Sequence, residues 1–519
     1  MKTRRCPSSS TQQPLRRRRS LSPRACGRAA LPLLALWSAA ALHPATGWAA
    51  SGLAPLGTGA VQNGLAGAGT ADAADAFSSV RNPAAGARLE TQLVMGLDLG
   101  RPDGRIRAED AGTGLGVFAF SSQSQQSVSG LLPGPQFAYN RRLTPRSALG
   151  LSLNFAGFAA EASGGSATFG GATPVISARC QGLLGGGAPV PGSTDALGLC
   201  GNSRSTLKLQ LAQGFLAAHY AHSFDHGLSL GLAPVLAVQA LRADGFGALA
   251  NFSNDPAATS DRGTGLYWGL GARLGLLWQV ADTFTVGAGY QTPIRMRGSD
   301  RYVGLMPGGT LDVPSSLNAG IALGPFARQR LLIDVEHIRH EDSRALSNRV
   351  DAQRLTEQCL LPRLVQLSRP RAPAAGPSPD CFGGAHGAGL GWRNLTVYKI
   401  GYEYTHGPVQ LRLGYAHSER PMGVDQVLAS MVAPATSRRH LALGLSWATS
   451  PRWGVDLMLQ RALPEAIEGR NPLSQVQVQL LPPGVDASSD GTDQRLRTEL
   501  DVWQLGLSLR LALGKEHAR

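Results

Sequence analysis

The amino-acid sequence predicts an all-β fold, a transmembrane antiparallel β-barrel of about 14 strands with an N-terminal hatch plugging the lumen. Three observations predict it. Apolar residues alternate with polar or small ones along most of the chain after Leu89, short connections alternate with long ones, and the chain begins with an export signal. A closed barrel can satisfy all its backbone hydrogen bonds in a membrane without any apolar helix.

The first 49 residues have the features of a secretory signal peptide. Nine basic residues and no acidic residue lie within Met1–Arg28, an apolar run follows over 29–42, and small residues lie around Ala49. This apolar run is shorter than the roughly 20 residues that span a bilayer, so a signal cleaved after Ala49 is favoured over a membrane anchor. We therefore expect the protein in the bacterial outer membrane.

The charge balance does not indicate a nucleic-acid partner. The chain has 49 Lys and Arg against 35 Asp and Glu, and removal of the nine signal charges leaves 40 against 35. The basic character therefore belongs mostly to the signal peptide, and a small positive excess is weak evidence for nucleic acid.

Strands are predicted where the alternation has a period of two residues. In the last one, Trp503, Leu505 and Leu507 share one face and Gln504, Gly506 and Ser508 the other. An apolar outer face and a polar or small inner face are typical of a barrel between lipid and a wet lumen. The predicted strands are 88–100, 134–142, 147–158, 206–223, 227–241, 265–280, 284–295, 314–323, 330–338, 395–404, 409–417, 440–448, 453–461 and 499–513.

The connections separate a membrane barrel from a soluble β-sandwich, which also alternates. Turns of three to six residues, such as 143–146 and 281–283, alternate strictly with long loops such as 159–205 and 339–394. Short periplasmic turns and long outer loops are the arrangement of outer-membrane barrels. Aromatic residues near the predicted strand ends fit an interfacial belt. They are Tyr290, Tyr402, Tyr404, Tyr415, Trp447, Trp453 and Trp503.

Four cysteines remain after signal removal and form two local pairs. We predict the disulfides Cys180–Cys200 and Cys359–Cys381, because an exported chain enters an oxidising compartment. Both fall in long loops. A zinc site would require more closely spaced ligand pairs, so no metal is predicted.

Residues 50–87 form the predicted hatch, 88–513 the barrel and 514–519 a C-terminal tail. The segment Gly64–Ala85 is too poor in large apolar residues to build its own core, so it needs an enclosure. A disordered leader is the alternative, but the segment is less polar than such leaders usually are. Asp72 and Asp75 among alanines suggest a short helix that ends before Pro83.

The hatch sequence resembles that of a known family. GAVQNGLAGAGTADAADAFSSVRNPAA, at 59–85, resembles the N-terminal hatch of the FadL/toluene-X family of outer-membrane channels for long-chain fatty acids and hydrocarbons. The segments 286–294 and 399–421 are similar to that family as well. The resemblance implies a passive uptake channel in which cargo enters among the outer loops, passes an inner site beside the hatch and leaves sideways at a kinked third strand. Its hatch motif maps onto Gly64, Gly67, Gly69, Asp72, Asn82, Pro83 and Ala84.

Two features depart from the family pattern. The third strand has no proline in Asn154–Phe158, which leaves Gly157 as the candidate kink. The last strand ends at Leu513 rather than at a phenylalanine, so its assembly signal is atypical. The expected partners are hydrophobic small molecules, outer-membrane lipid, lipopolysaccharide and the barrel assembly machinery, with the protein a monomer.

A carboxylate cargo would require a cation in the lumen. By strand parity, Arg273, Lys399, Arg412 and Arg510 face inward, and Lys399 and Arg412 are the candidates for a headgroup because they flank the family-like hairpin. The alternative is that these cations form an ion-pair network that holds the hatch. No cofactor is predicted.

An enzyme is the less favoured class. Gly227–Gly231 fits G-x-S-x-G around Ser229, but it lies in an alternating strand rather than at a strand-to-helix elbow. His337–Glu341 resembles a metal motif in composition only. A lipid hydrolase and a surface adhesin that uses the disulfide-tied loops stay as alternatives to the channel.

Overall fold

The computed structural model describes residues 55–109, 123–128, 130–162, 207–362, 376–472 and 494–514. The predicted signal peptide, the predicted disulfide Cys180–Cys200 and residues 515–519 of the tail lie outside the described residues. No helix in the described part of the chain is long and apolar enough to cross a membrane.

Fourteen long strands in the described residues form one closed antiparallel barrel, as predicted. The last strand pairs with both its predecessor and the first strand, from Gln92↔Ala512 to Glu109↔Arg495, and this pairing closes the wall. The strands are β1 Gln92–Glu109, β2 Leu132–Thr144, β3 Ser147–Ala162, β4 Leu207–Ser223, β5 Leu228–Asp244, β6 Gly265–Ala281, β7 Phe284–Gln291, β8 Ser315–Phe326, β9 Gln329–Arg339, β10 Leu395–His406, β11 Val409–Ser418, β12 Arg439–Ala448, β13 Trp453–Arg470 and β14 Arg495–Ala512. The short segment Gln123–Val128 also pairs with β1, and Arg297–Gly298 pairs with β6.

Several strands differ from their predicted bounds. β1 continues nine residues past 100 and β13 nine past 461, and in these extensions charged residues such as Arg105 and Arg107 take the outward positions. The apolar alternation that marks a lipid-facing strand stops there, although the hydrogen-bonded ladder does not. β7 instead ends at Gln291, two residues before Pro293, which has no backbone N–H to donate.

The outer surface of the barrel is apolar at mid-height. On β14 the outward Trp503, Leu505 and Leu507 are 42%, 52% and 39% exposed, whereas the inward Gln504 and Ser508 are buried. Rows of exposed leucines on every side of a protein suit a lipid environment rather than water.

The hatch fills the lumen. Its elements are α1 Gly59–Gly64, α2 Ser78–Arg81 and a 3₁₀ helix over Pro83–Arg88, and nearly every residue between 56 and 87 is buried. The predicted helix around Asp72 and Asp75 is wrong: residues 71–76 form turns. Both aspartates accept hydrogen bonds from amides one or two residues ahead, Ala73 and Phe77, which competes with helix formation.

The described parts of the long loops pack together at one end of the barrel, here called the loop end; the short turns mark the turn end. An apolar cluster there includes Phe246, Leu305, Phe382, Trp392 and Met431. The predicted disulfide Cys359–Cys381 is present in this region. The other helices are α3 Arg344–Ser347, α4 Ala352–Leu355, the π-helical turn Thr356–Leu360, α5 Val427–Ser430, and 3₁₀ turns at Asp225–Gly227, Gly247–Phe252, Pro256–Ala258, Pro307–Gly309, His340–Asp342 and Val424–Gln426.

Candidate lumenal site beside the hatch

The hatch lies against glycines of the barrel wall, which have no side chain. A Cβ on Gly231 would lie 2.3 Å from the Ala84 amide nitrogen, and one on Gly287 would lie 2.3 Å from the Thr70 carbonyl oxygen. Glycines at these inward positions therefore let the hatch backbone approach the strands directly. The wall glycines that contact the hatch most closely are Gly231, Gly275, Gly287, Gly289, Gly401, Gly414 and Gly444.

The predicted Asn-Pro-Ala element ties two parts of the hatch to the wall. Asn82 Nδ2 donates to the Thr70 carbonyl at 2.8 Å and to the Leu276 carbonyl of β6 at 2.9 Å, while its Oδ1 accepts from Ala84 N at 3.2 Å. Pro83 begins the 3₁₀ helix, where its lack of an N–H has no cost. Each residue of this motif thus has a specific packing or hydrogen-bonding role.

A wall carboxylate anchors the glycine run of the hatch. Asp334 Oδ2, on β9, accepts hydrogen bonds from Gly69 N at 2.9 Å and Thr70 N at 2.8 Å. Gly67 and Gly69 have φ of +82° and +139°, values that residues with a side chain rarely adopt. A second pair joins hatch to wall where Arg330 Nη2 approaches Asp72 Oδ1 to 2.6 Å.

Lys399 belongs to a buried charge cluster. Its Nζ donates to Glu336 Oε2 at 2.6 Å and to the Leu56 carbonyl of the hatch at 2.8 Å. The hatch residue Arg81 approaches the same Glu336 oxygen to 3.0 Å and also contacts Asn318 and Leu56. Two cations, one from the hatch and one from the wall, therefore share one carboxylate.

Arg412 is also fully engaged. Its Nε donates to Glu403 Oε2 at 2.8 Å, and its two Nη atoms donate to Ser446 Oγ at 2.5 Å and Gln410 Oε1 at 2.7 Å. Lys399 and Arg412 face the lumen as predicted, but their hydrogen-bonding groups are directed to protein partners. This geometry favours the ion-pair alternative over headgroup binding for both residues.

A cavity of about 110 Å³ lies beside the hatch on its loop-end side. Hatch residues including Val80 and Arg81 line one side of it, and β4, β6, β8 and β9 line the other. Arg273 of β6 projects into it, with Phe215, Asn318 and Ile338 around it. Polar and apolar groups are therefore combined in one lumenal site. Arg81 could not be predicted as a lining residue from the sequence, because its wall partners Asn318 and Glu336 lie more than 200 positions away.

In the described residues the hydrogen-bonded ladder of the wall is interrupted next to this cavity, and the segment Gln123–Val128, which pairs with β1, lies beside β3 there. Between β2 and β3 the ladder ends at Phe137↔Leu153, whereas β3 stays paired with β4 as far as Ala162↔Leu207. Asn154 and Ala156, just beyond the last β2–β3 pair, line the cavity. Gly157, the predicted kink residue, has φ of +147°, and a Cβ there would lie 2.1 Å from the Leu211 carbonyl oxygen.

A second cavity lies among the long loops. Its volume is about 90 Å³, and its lining is almost entirely apolar, with Phe246, Leu305, Met306, Phe382 and Leu428. The cavity at the loop end therefore has an apolar lining, whereas the cavity in the lumen is lined by both polar and apolar groups.

The motifs that pointed towards an enzyme have structural roles. Ser229 is the second residue of β5 and faces inward, where its hydroxyl bonds Ser223 Oγ at 2.8 Å. His340 Nδ1 donates to the Arg393 carbonyl at 2.7 Å, and its ring packs edge-to-face on Trp392. Within the described ranges, no group of three or more His, Cys, Asp or Glu residues is arranged to hold a metal ion.

Solved structures of transport channels share this fold. The P. putida toluene transporter TodX is similar at a TM-score of 0.56 and 15% identity, over 89% of this chain and 100% of TodX. A Pseudomonas aeruginosa FadL homologue gives 0.56 and 13%, over 89% and 100%. The Ralstonia pickettii toluene transporter TbuX gives 0.50 and 16%, over 89% and 99%. No family model and no curated protein sequence matches this chain. The fold predicted from the hatch resemblance, a FadL-type barrel with a plugged lumen, is confirmed.

Proposed function

We propose that this chain is an outer-membrane channel for passive uptake of hydrophobic compounds, long-chain fatty acids or aromatic hydrocarbons. The observation that carries the proposal is the presence of an apolar cavity among the loops and a mixed cavity beside the hatch. The second cavity borders the part of β3 that is not paired with β2. Solved channels of the same fold are named as toluene transporters and as a monoaromatic hydrocarbon channel.

Cargo enters at the loop end, which faces outward. Transfer of a chain from water to an apolar site gains roughly 0.8 kcal/mol per methylene, so a single deep site would hold long cargo too tightly for release. Two small cavities in series divide this gain into moderate steps, which conduction requires.

Cargo leaves the lumen sideways, through the β2–β3 break, after the hatch shifts. The cavity beside the hatch is smaller than the 300 Å³ or more that usually hold a drug-sized ligand, so a whole long-chain fatty acid does not fit in this state of the lumen. The hatch residues that line the cavity move to enlarge it. Lateral exit delivers apolar cargo to the membrane without passage through the polar turn end.

The proposal includes the setting of the channel. The signal peptide directs export, the barrel assembly machinery inserts the barrel, and lipid and lipopolysaccharide surround its apolar belt as it works as a monomer. A lipid hydrolase is disfavoured by the context of Ser229, whose hydroxyl bonds another serine. An adhesin would not require the close contact between the hatch and the glycines of the barrel wall.

The test compares uptake of labelled oleate and labelled toluene by cells with and without this protein. The channel predicts faster initial uptake of at least one compound in expressing cells, with uptake of a hydrophilic sugar unchanged. Equal uptake of both compounds in the two strains would contradict it.

A further inference from the structure

Arginines lie along the loop-end edge of the apolar belt, on the outer face of β12, β13, β14 and β1. Trp503 of β14 marks this edge, since it is 42% exposed and Leu505, the next outward residue towards the turn end, belongs to the belt. The strand register places Arg101 of β1 on one side of Trp503 and Arg461 of β13 on the other. Arg439 takes the outward position at the start of β12. The three arginines and Trp503 are here called the arginine patch.

Two cations of the patch have no carboxylate of their own. Arg101 is exposed and forms no ion pair with any residue that the structure describes. Arg439 is 49% exposed, and its Nε lies 3.0 Å from Glu465 Oε1. Arg438 and Arg420 approach the same carboxylate to 2.6 and 3.8 Å. Three guanidinium groups therefore share one negative charge, and the patch has an excess of positive charge where the headgroups of a membrane lie.

The extension of β1 beyond the patch is balanced in charge. Arg105 pairs with Asp103 at 3.3 Å, and Arg107 pairs with Glu109 at 3.0 Å. Such exposed pairs contribute little to stability, but they leave no net charge on this part of the strand. The arginine of β1 without a partner is therefore the one next to the apolar belt.

Arg461 and Trp503 form an ordered surface between the two cations. The guanidinium carbon of Arg461 lies 4.8 Å from the centre of the Trp503 ring. Asp501 accepts hydrogen bonds of 3.2 and 2.9 Å from Nε and Nη2 of this arginine. The ion pair and the ring together hold the guanidinium in one orientation, so the middle of the patch is preorganised for contact.

Arg101 and Arg439 lie at similar heights on the wall. The line of paired residues that starts at Arg101 reaches Leu441 on β12, and continued around the wall it reaches Trp278 at the turn end. This line therefore descends from β1 to β12, as tilted strands require. Arg439 lies two residues closer to the loop end than Leu441, which offsets the descent. Three strand spacings and this offset place the two arginine backbones roughly 16 Å apart.

We propose that the arginine patch binds one molecule of lipopolysaccharide, with the phosphates of its headgroup on Arg101 and Arg439 and its acyl chains on the leucines of the belt. A guanidinium binds phosphate through two parallel N–H donors. The headgroup is a disaccharide with a phosphate at each end, so it contacts cations on two separate strands, which a lipid with one phosphate does not. The inference goes beyond the proposed uptake function and takes from it only that the loop end faces outward, where this lipid lies.

The experiment counts the lipid molecules that bind to the purified mature protein in detergent, by native mass spectrometry. Diphosphoryl lipid A, the same lipid A with its phosphates removed, and phosphatidylglycerol are each titrated. The variants are Arg101→Gln/Arg439→Gln and Arg101→Lys/Arg439→Lys. Arg242→Gln/Arg339→Gln is the matched control, because both arginines are exposed at the loop end of other strands and each pairs with an aspartate.

We expect the wild type and the control to bind diphosphoryl lipid A at least tenfold more tightly than either other lipid. The double glutamine variant should lose this preference and keep its affinity for dephosphorylated lipid A, which also shows that its barrel is folded. The double lysine variant should keep part of the preference, since lysine retains the charge without the paired donors. A preference that survives in the glutamine variant, or a wild type that binds either other lipid as tightly, would overturn the assignment. No cargo takes part in this assay, so its result is independent of the uptake test.

Discussion

The hatch residue Gly64 and the wall residue Gly444 touch backbone to backbone. A Cβ added to Gly64 would lie 2.9 Å from the Gly444 Cα, and one added to Gly444 would lie 3.1 Å from the Gly64 Cα. The hatch is therefore seated on β12 at a distance that allows a side chain on neither residue. Similar contacts recur around the lumen. The position of the hatch therefore depends on the glycines of the wall as much as on the sequence of the hatch.

Replacement of Gly444 by valine should unseat the hatch without harming the strand. Valine suits a β-strand, but its side chain would overlap Gly64, and overpacking of this kind typically costs about 1–3 kcal/mol. We expect larger and more frequent openings in planar-bilayer conductance recordings. Leu443→Val is the control, since Leu443 faces outward and is 55% exposed. Conductance as low as that of the wild type would contradict the tight seat.

Loss of the Asp334 carboxylate should loosen the glycine run of the hatch. In Asp334→Ala the buried amides of Gly69 and Thr70 lose their acceptor, and each unsatisfied group costs roughly 1–3 kcal/mol. Hydrogen exchange of a peptide covering 66–76 should accelerate. Asp334→Asn keeps an oxygen acceptor, so its peptide should exchange at an intermediate rate. Identical exchange rates in the wild type and both variants would show that the hydrogen bonds to Asp334 do not hold this part of the hatch.

The Gly157→Ala change should impair transport through the wall. Residues with a side chain rarely adopt φ of +147°, and the added Cβ would overlap the Leu211 carbonyl, so β3 must shift. We expect uptake of labelled cargo to fall several-fold with normal barrel assembly. Ala159→Ser, on the same strand, is the control. Uptake at the wild-type rate would count against an exit at this strand.

The disulfide Cys359–Cys381 should stabilise the loop end alone. In the chain-entropy account, a cross-link over 22 residues contributes roughly 3 kcal/mol. The double variant Cys359→Ser/Cys381→Ser should be cut faster by protease between 340 and 394, with an unchanged melting temperature of the barrel. A lowered barrel melting temperature would instead mean that the wall depends on the loop.

The loop around His340 should open in acid. Burial lowers the pKa of His340 to about 4, so the folded loop holds the neutral ring. Its folded pKa lies below the unfolded value near 6.5, and the stability it contributes is therefore present above pH 6.5 and lost as the pH falls towards 4. Hydrogen exchange in Ser343–Ser347, corrected for intrinsic rates, should rise at pH 4.5 relative to pH 7. His340→Gln should remove this dependence, and an equal rise in that variant would assign it to another group.

The strands of the wall could be predicted from the sequence, because apolar residues recur at every second position in a lipid-facing strand. All fourteen strands follow from that period, and strand parity placed Lys399 and Arg412 in the lumen. The chemistry of the lumen was less accessible. Asp334 and the hatch amides that it binds are 264 and 265 positions apart. Parity gives the direction of a side chain but not its partner.

If cargo passes only when the hatch moves, a covalent link between hatch and wall should stop transport. The most direct measurement is oleate uptake by cells carrying Ala60→Cys/Ser508→Cys, since Ala60 N lies 3.1 Å from Ser508 Oγ and cross-linking of these cysteines would fix α1 to β14. We expect oxidation to stop uptake and reduction to restore it, with each single-cysteine variant unaffected. Uptake at the full rate through the cross-linked protein, verified on a non-reducing gel, would contradict it.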